Sequence, residues 1–294
     1  MLFGACLFFL IVFLYLIQIC FSKKIAMKSI EKIIEQYKAL NLSDIVDYDK
    51  FNAITVSHHS TKLEGSTLTE LESEILLNNH MTPKGRPLSD VYMVADHALA
   101  LSYVIKQAKN RERITVDLIQ HINALVLKNT GEIINNAFGT FDLSKGVIRK
   151  WNVQNGRGDS YPAFQKVEDK TKELVAIINE KMTDDLNVKE ATDLAFDMHY
   201  NLVAIHPFGN GNGRTSRLMM NYIQVYYNLP MAIVNSSDKE AYIQALRNTD
   251  ETGNKKFFND FMYDQYEKYL LHIISKQEEN LKKNTNKGGF NFVF

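Results

Sequence analysis

The stretch His206-Pro-Phe-Gly-Asn-Gly-Asn-Gly-Arg-Thr-Ser-Arg217 joins two segments of helical periodicity. Pro207 is predicted to end the first helix, and the second helix is predicted to begin near Gly211. Glycines at positions 209, 211 and 213 remove the Cβ atoms that would keep a ligand away from the backbone. The first turn of the second helix offers backbone N–H groups and the positive end of the helix dipole. The stretch therefore predicts two helices with an anion site in the loop between them.

Charged and titratable side chains flank these glycines. Arg214 and Arg217 are three positions apart on the predicted helix, so both can bind one chain of phosphates. His206 precedes the glycines, where an imidazole acting as a general base would be close to a phosphorus atom held in the loop. Glycine–asparagine turns alone are more often plain connections between helices, and a lone loop histidine is usually only hydrogen-bonded. The combination of His, Gly and Arg favours phosphate chemistry, although the spacing is not that of a Gly-Lys-Ser/Thr loop.

The composition narrows the possible functions. The chain has 294 residues with 34 Lys and Arg against 34 Asp and Glu, which argues against a nucleic acid as the main partner. Both cysteines, Cys6 and Cys20, lie near the N-terminus, which excludes a disulfide framework and a cysteine-ligated metal site in the rest of the chain. His199 and His206 are seven positions apart with no acidic residue at a zinc-type spacing, so a metal hydrolase is disfavoured.

Residues 1–22 contain no charged residue and are long enough to cross a bilayer, so they predict a transmembrane anchor. Lys23 and Lys24 follow directly, and the positive-inside rule then places the remaining chain on the cytoplasmic side of the membrane. The alternative is a mis-annotated start. If translation begins at Met27, the protein lacks this segment and is expected to be cytoplasmic.

Hydrophobic periodicity predicts a succession of helices, and few glycines and prolines interrupt it. A helix is expected from about Met27, and another after Thr67, whose spacing to Glu70 suggests a capping box; Ser89 is expected to cap a third. The other predicted helices cover 49–63, 115–128, 164–182, 189–205, 211–227, 238–247 and 257–276. Residues 147–153, followed by Asn155-Gly156, predict one strand and a hairpin turn. The predicted fold class is all-α with one short β-hairpin.

Two motifs in this order resemble those of the Fic (Fido) family. Residues 206–217 resemble its signature, His-x-Phe-x-Asp/Glu-Gly-Asn-Gly-Arg-x-x-Arg. Residues 60–65, Ser-Thr-Lys-Leu-Glu-Gly, resemble the inhibitory motif Ser/Thr-x-x-x-Glu-Gly/Asn that one class of the family carries before its core. The helices with one hairpin upstream of the signature are also similar to the family's helical core with a β-hairpin flap. The resemblance implies a protein adenylyltransferase, which transfers AMP from ATP to a Ser, Thr or Tyr hydroxyl of a target protein.

The resemblance also implies a role for each signature residue. His206 would accept the proton of the attacking hydroxyl, Arg214 would brace the phosphate chain, and Arg217 would bind the γ-phosphate. The backbone amides of Gly211, Asn212 and Gly213 would hold the α- and β-phosphates.

The same resemblance extends to three features outside the signature. The hairpin at 147–155 would dock the target protein. Tyr242 is expected to line the nucleobase pocket, with ordinary packing as the alternative. Glu64, with Ser60 and Gly65 completing its motif, would pair with Arg217 where the γ-phosphate binds, which would restrain the enzyme. Some members of this class use the same Glu to remove AMP, so a de-AMPylating enzyme is an alternative.

One position departs from the family pattern. Asn210 stands where the family has the acidic residue that holds Mg²⁺, and a neutral amide oxygen is a weaker ligand for that ion. The phosphates of ATP could still bring in Mg²⁺ or Mn²⁺. Two hypotheses remain open at this point: a slower adenylyltransferase, or a nucleotide-binding pseudoenzyme that acts through protein contacts.

The predicted organisation has four parts. They are an anchor or mis-annotated start at 1–22, an N-terminal helical region with the inhibitory motif at 27–88, a Fic core with C-terminal helices at 89–276, and a frayed tail at 277–294. A homo-oligomer is also considered.

Overall fold

The computed structural model describes residues 30–42, 48–154, 158 and 160–285. It contains ten helices and one antiparallel hairpin in these residues. They are α1 (30–39), α2 (Tyr48–Leu63), α3 (Glu70–Asn79), α4 (Leu88–Lys109), α5 (Val116–Val126), β1 (Ile133–Asn136), β2 (Gly139–Asp142), α6 (Phe164–Lys181), α7 (Val188–Ile205), α8 (Asn212–Tyr226), α9 (Lys239–Thr252) and α10 (Lys256–Thr285). The predicted fold class, all-α with one short hairpin, is confirmed.

The chain divides into two compact units. The larger unit covers residues 41–269, and the smaller one contains the described residues 30–40 and 270–285. In the smaller unit, Ile30, Ile33, Ile34 and Tyr37 are buried, as their helical spacing predicts. Helix α10 extends beyond the predicted end at Lys276 and continues to Thr285.

Helix α8 lies at the centre of the larger unit, where it packs most extensively against α7 and α4. It is buried along nearly its whole length, including its polar residues. Asn221 Nδ2 donates a hydrogen bond to Ala232 O at 2.9 Å, and Gln224 Oε1 accepts one from Ala232 N at 2.8 Å. Because buried polar groups need partners, these bonds allow a polar helix to occupy the core. The loop before α8 is therefore attached to a rigid element.

The residues that start each helix were predicted less accurately than the presence of the helices. The capping box is formed by Thr69 and Glu72, so the prediction of Thr67 with Glu70 is wrong. Thr67 instead donates from its hydroxyl to Asp90 Oδ2 at 2.6 Å. Helix α4 begins directly after a proline without a side-chain cap, so the predicted cap Ser89 is also wrong.

The position of the hairpin also differs from the prediction. The two paired strands are β1 and β2, whereas residues 147–153 form no strand. That segment has only isolated bridges, Ile148 with Phe208 and Gln154 with Ser160. Arg149 N donates to Pro207 O at 2.9 Å, so this backbone pairs with the loop before α8 rather than with a second strand. The predicted turn at Asn155-Gly156 lies outside the described residues.

The predicted transmembrane helix, and the membrane location that followed from it, must be corrected. No helix in the described part of the chain is both long and apolar enough to cross a bilayer. Residues 1–22, on which the prediction rested, lie outside the described residues.

Candidate active site

The loop between α7 and α8 is held in shape by its own side chains. His206 ends α7 in the left-handed conformation with φ of 52°, and its N–H donates to Leu202 O at 3.1 Å. Asn212 closes the loop, because its Oδ1 accepts from Phe208 N and its Nδ2 donates to Phe208 O, both at 2.9 Å. Phe208 is buried. The Asn212 side chain therefore fixes the loop and leaves its backbone N–H at the start of α8.

The three glycines of the loop are needed for different structural reasons. A Cβ at Gly209 would lie 2.7 Å from the Trp151 ring, and one at Gly211, where φ is +77°, would lie 2.8 Å from Asn123 Nδ2. These two glycines allow the loop to pack closely against the rest of the protein. A Cβ at Gly213 would instead overlap the Glu64 carboxylate. The sequence predicted that all three glycines let a ligand approach the backbone, whereas in the structure only Gly213 has an anionic group, the Glu64 carboxylate, against it.

Arg214 is a buried cation that has more hydrogen-bond donors than partners. Its side chain is 3% exposed, and its Nη2 donates to Asn210 Oδ1 at 3.2 Å. Its Nε and Nη1 are buried and have no hydrogen-bond partner. Burial lowers the pKa of Arg214, while the nearby Glu64 carboxylate acts in the opposite direction. Since buried guanidinium groups are normally satisfied, the two free donors fit a bound anion. No side chain caps the adjacent start of α8, which favours the same ligand.

Arg217 is held by the residues of the predicted inhibitory motif. Its Nη2 donates to Glu64 Oε1 at 2.7 Å and to Ser60 O at 2.9 Å, and its Nε donates to Ser60 Oγ at 2.9 Å. Both Arg217 and Ser60 are buried, whereas the Glu64 side chain is 32% exposed. Glu64 lies just past the end of α2, where Gly65 turns the chain with φ of +105°. Partial burial disfavours the carboxylate, but the charge and hydrogen bond of Arg217 outweigh it, so the pKa of Glu64 lies below its usual value.

His206 lies beneath an aromatic ring. The Tyr161 ring stacks on the imidazole with a centroid distance of 3.8 Å and an interplanar angle of 17°. Burial lowers the pKa of His206 to about 4, although the Val203 carbonyl and the Glu64 charge act in the opposite direction. At neutral pH the imidazole is therefore uncharged and able to accept a proton.

The residues at this loop do not form a metal site by themselves. Asn210 Oδ1 already accepts from Gly211 N at 2.6 Å and from Arg214 Nη2. The Glu64 carboxylate, which lies against Gly213, is paired with Arg217. Among the described residues no group of three His, Cys, Asp or Glu side chains could hold a metal ion. The donor set thus does not fit a protein-held Mg²⁺, and no reaction step is assigned to one.

Tyr242 reaches the site through its hydroxyl rather than its ring. The side chain is buried, and its hydroxyl lies 2.9 Å from His199 Nε2 and also hydrogen-bonds Arg217. The ring packs near Phe258 and Phe261. The predicted role of Tyr242 in nucleobase binding stays a prediction, and its hydroxyl contacts Arg217, to which the resemblance assigned the γ-phosphate.

The structure also has a cavity of about 530 Å³ away from this loop, between α2 and α4. Its lining includes Leu101, Ile105 and Lys106 but none of the signature residues. The loop remains the candidate site because a histidine and two buried arginines lie at its two ends, whereas none of the signature residues lines the cavity.

Comparison with known proteins agrees with this assignment. Residues 113–224 match the sequence profile of the Fic/DOC family. This part of the chain is a Fic/DOC domain. Proteins named protein adenylyltransferase Fic are 29% identical in Drosophila willistoni and 28% identical in Drosophila melanogaster, each over 72% of this chain. The chain spans 40% of the length of these two relatives.

Solved Fic structures share the fold. A Fic-domain signaling protein from Bacteroides thetaiotaomicron superposes with a TM-score of 0.70 at 23% identity, covering 84% of this chain and 95% of that one. Fic-1 from C. elegans gives a TM-score of 0.71 at 21% identity, covering 87% of this chain and 74% of that one. At 21% and 23% sequence identity, these superpositions show a shared fold and nothing more.

Sequence reasoning missed four side chains that shape the Fic site. Asn123 Nδ2 donates to Asn210 O and to Thr215 Oγ1, both at 3.1 Å, and His199 contacts Tyr242. Tyr161 covers His206, and Arg149 Nε donates to His206 O at 2.8 Å. All of these contacts join residues distant in sequence, so no local spacing indicates them.

Proposed function

We propose that this Fic protein is an adenylyltransferase that moves AMP from ATP to a Ser, Thr or Tyr hydroxyl of a target protein. The observation that carries the proposal is the pair of buried guanidinium groups at the uncapped start of α8, with His206 at the other end of the same loop. Arg214 keeps two unpaired donors there. The names of the curated relatives support the reaction type.

The chemistry assigned to the chain's own residues is positioning and proton transfer. The backbone N–H groups of Gly211, Asn212 and Gly213, at the start of α8, would hold the phosphates, and Arg214 would neutralise part of their charge. His206 accepts the proton of the target hydroxyl as its oxygen bonds to the α-phosphorus. The bond from that phosphorus to the bridging oxygen breaks, and pyrophosphate leaves.

The structure supports a restrained state of this enzyme. In our proposal Arg217 binds the γ-phosphate, but here its Nη2 already donates to the Glu64 carboxylate. A phosphate and a carboxylate cannot share that donor without repulsion, because both are negatively charged. Glu64, supported by Ser60 and Gly65, therefore acts as an inhibitory residue.

Two alternatives are kept. A nucleotide-binding pseudoenzyme is favoured by Asn210, whose Oδ1 is occupied by two donors of its own loop. A de-AMPylating enzyme is compatible with a carboxylate near His206. Docking of the target along residues 147–155 and a homo-oligomer remain predictions.

The test uses ATP labelled on the α- or the γ-phosphate, with Mg²⁺ or Mn²⁺, and compares the wild-type chain with Glu64→Gly. Transfer of α-label that rises in Glu64→Gly and disappears when His206→Ala is added supports the proposal. Transfer of γ-label alone would indicate a kinase and contradict it. ATP binding without transfer of either label would favour the pseudoenzyme, and loss of AMP from a modified protein would favour the de-AMPylating enzyme.

A further inference from the structure

Arg149 is a fully buried cation that is bonded to backbone carbonyl groups. Its Nε donates to His206 O at 2.8 Å, its Nη1 to Trp151 O at 2.8 Å, and its Nη2 to Pro162 O at 2.6 Å. Its side chain has no solvent exposure. Because burying a charge is costly unless hydrogen bonds compensate, a guanidinium kept at this point is expected to have a specific structural task.

The three carbonyl groups identify that task. One belongs to His206, and the other two lie at either end of residues 151–162, the segment that carries Tyr161. A guanidinium has its donors in a fixed planar fork, so it sets the distances among the three carbonyl groups. Arg149 thus fixes the backbone of His206 relative to both ends of this segment.

Tyr161 completes the arrangement from the other side. Its ring lies nearly parallel to the imidazole of His206, 3.8 Å between centroids. A side chain covered in this way has few rotamers available, so the stacked ring holds the imidazole in one orientation.

We propose that Arg149 and Tyr161 are positioning residues for the transfer reaction, Arg149 holding the backbone of His206 and Tyr161 holding its ring. The inference rests on the proposed function, in which His206 accepts a proton. It adds two residues that touch neither the phosphates nor the transferred group and that lie outside the signature motif.

Several groups facing His206 influence its protonation. They are the Tyr161 ring, the Arg149 guanidinium, the Glu64 carboxylate and the Val203 carbonyl. Burial is the largest influence and lowers the pKa of His206 to about 4. Removing the Tyr161 ring lets water reach one face of the imidazole, so its pKa should rise toward the ordinary value of about 6.5.

The experiment uses the full chain carrying Glu64→Gly, with Tyr161→Phe and Tyr161→Leu as a matched pair. Phe keeps the stacked ring, so we expect its kcat to stay within about twofold of the parent. Leu loses the stack, and we expect kcat to fall by about 10²-fold with the KM for ATP unchanged, since small misplacements of a reacting group have effects of that size. Tyr227→Leu, on a tyrosine whose hydroxyl contacts Thr183 O, is the control.

Arg149 is tested in the same background by Arg149→Lys, which keeps the charge but not the planar fork. We expect kcat to fall at least about tenfold at unchanged KM for ATP, because one ammonium cannot reproduce three bonds in fixed directions. Arg111→Lys is the control, since Arg111 pairs with Asp184 at the surface.

A second readout separates this inference from the proposed function. Imidazole NMR on the same variants follows the pKa of His206, whose signal is identified by its loss in His206→Ala. Tyr161→Leu should raise that pKa by at least about one unit, while Tyr161→Phe leaves it unchanged. If no variant transfers AMP but the NMR shift appears, the proposed function fails and the positioning of His206 stands. An unchanged pKa in Tyr161→Leu, or equal kcat in Leu and Phe, would overturn the inference.

Discussion

Arg217 Nη2 lies 2.7 Å from Glu64 Oε1, and this ion pair joins the chain just past the end of α2 to the first turns of α8. The two residues are 153 positions apart. Ser60 adds two further bonds to Arg217 from the last turn of α2. One carboxylate thus occupies the guanidinium that, in the proposed function, ATP would need.

Replacing Glu64 should show separately how its carboxylate stabilises the protein without nucleotide and how it weakens the binding of ATP. In Glu64→Gln the charge is lost but the shape is kept, so the protein without nucleotide should be less stable by about 1–2 kcal/mol because Arg217 loses one charged hydrogen bond. The increase in Tm that ATP causes should become larger than in the wild type, since ATP no longer competes with a carboxylate. Thermal unfolding with and without ATP measures both effects. Glu251→Gln, at the exposed end of α9, should change neither.

Gly213→Ala should have opposite effects in two backgrounds. In the wild type the new Cβ would overlap the Glu64 carboxylate, so the substitution should lower the free energy of unfolding. In Glu64→Gly the carboxylate is absent, and only the flexible end of Arg217, whose Nη1 lies 3.0 Å from the new Cβ, must shift slightly. Alanine should then stabilise α8 by up to about 1 kcal/mol through its helix propensity. Urea unfolding of the four proteins in this double-mutant cycle measures the difference. The same sign in both backgrounds would mean that Glu64 does not lie against position 213.

Asn210→Asp should change the response to metal. The carboxylate would supply the charged oxygen that Mg²⁺ prefers, at a loop position where the wild type has an amide already accepting two hydrogen bonds. We expect transfer by the Glu64→Gly protein to reach half-maximal rate at a lower Mg²⁺ concentration once Asn210→Asp is added. A Mg²⁺ titration at fixed ATP measures this. Asn210→Ser is the control, and an identical titration curve in all three proteins would show that position 210 does not contact the ion.

Acidification should destabilise the fold before most carboxylates titrate. Burial lowers the pKa of His206 and of His59 to about 4, and it lowers that of His97 and of His199 well below the ordinary value. The unfolded chain therefore binds more protons than the folded one between about pH 6.5 and pH 4, so stability must fall as pH falls through that window. Unfolding midpoints at pH 7, 6, 5 and 4.5 measure the trend. A Tm that stays constant down to pH 4.5 would contradict it.

The sequence predicted those features of the fold and site that are encoded locally. Pro207 and the glycines between His206 and Arg214 punctuate two periodic segments, so the ends of α7 and α8 could be predicted within about one residue. Pro83, Gly85 and Pro87 likewise interrupt the chain between α3 and α4. Local propensity is sufficient in these places because each helix ends at residues that cannot continue it.

Features that depend on distant contacts were not predictable in this way. Residues 147–153 have the β-branched pattern of a strand, but Ile148 and Arg149 pair with the loop before α8. The charge of Arg149 gives no hint that three carbonyl groups surround it. The pairing of Glu64 with Arg217 was expected only from the resemblance to the Fic family, because nothing in their spacing relates them.

The most direct test of the central claim is the rate at which AMP becomes attached to the protein itself, measured by intact mass in the presence of ATP. The wild type, Glu64→Gly and Glu64→Gly with His206→Ala are compared at one protein concentration. We predict slow attachment in the wild type, an increase of at least about tenfold in Glu64→Gly, and none when His206 is replaced. Equal rates in the wild type and Glu64→Gly, or attachment that persists without His206, would contradict the account.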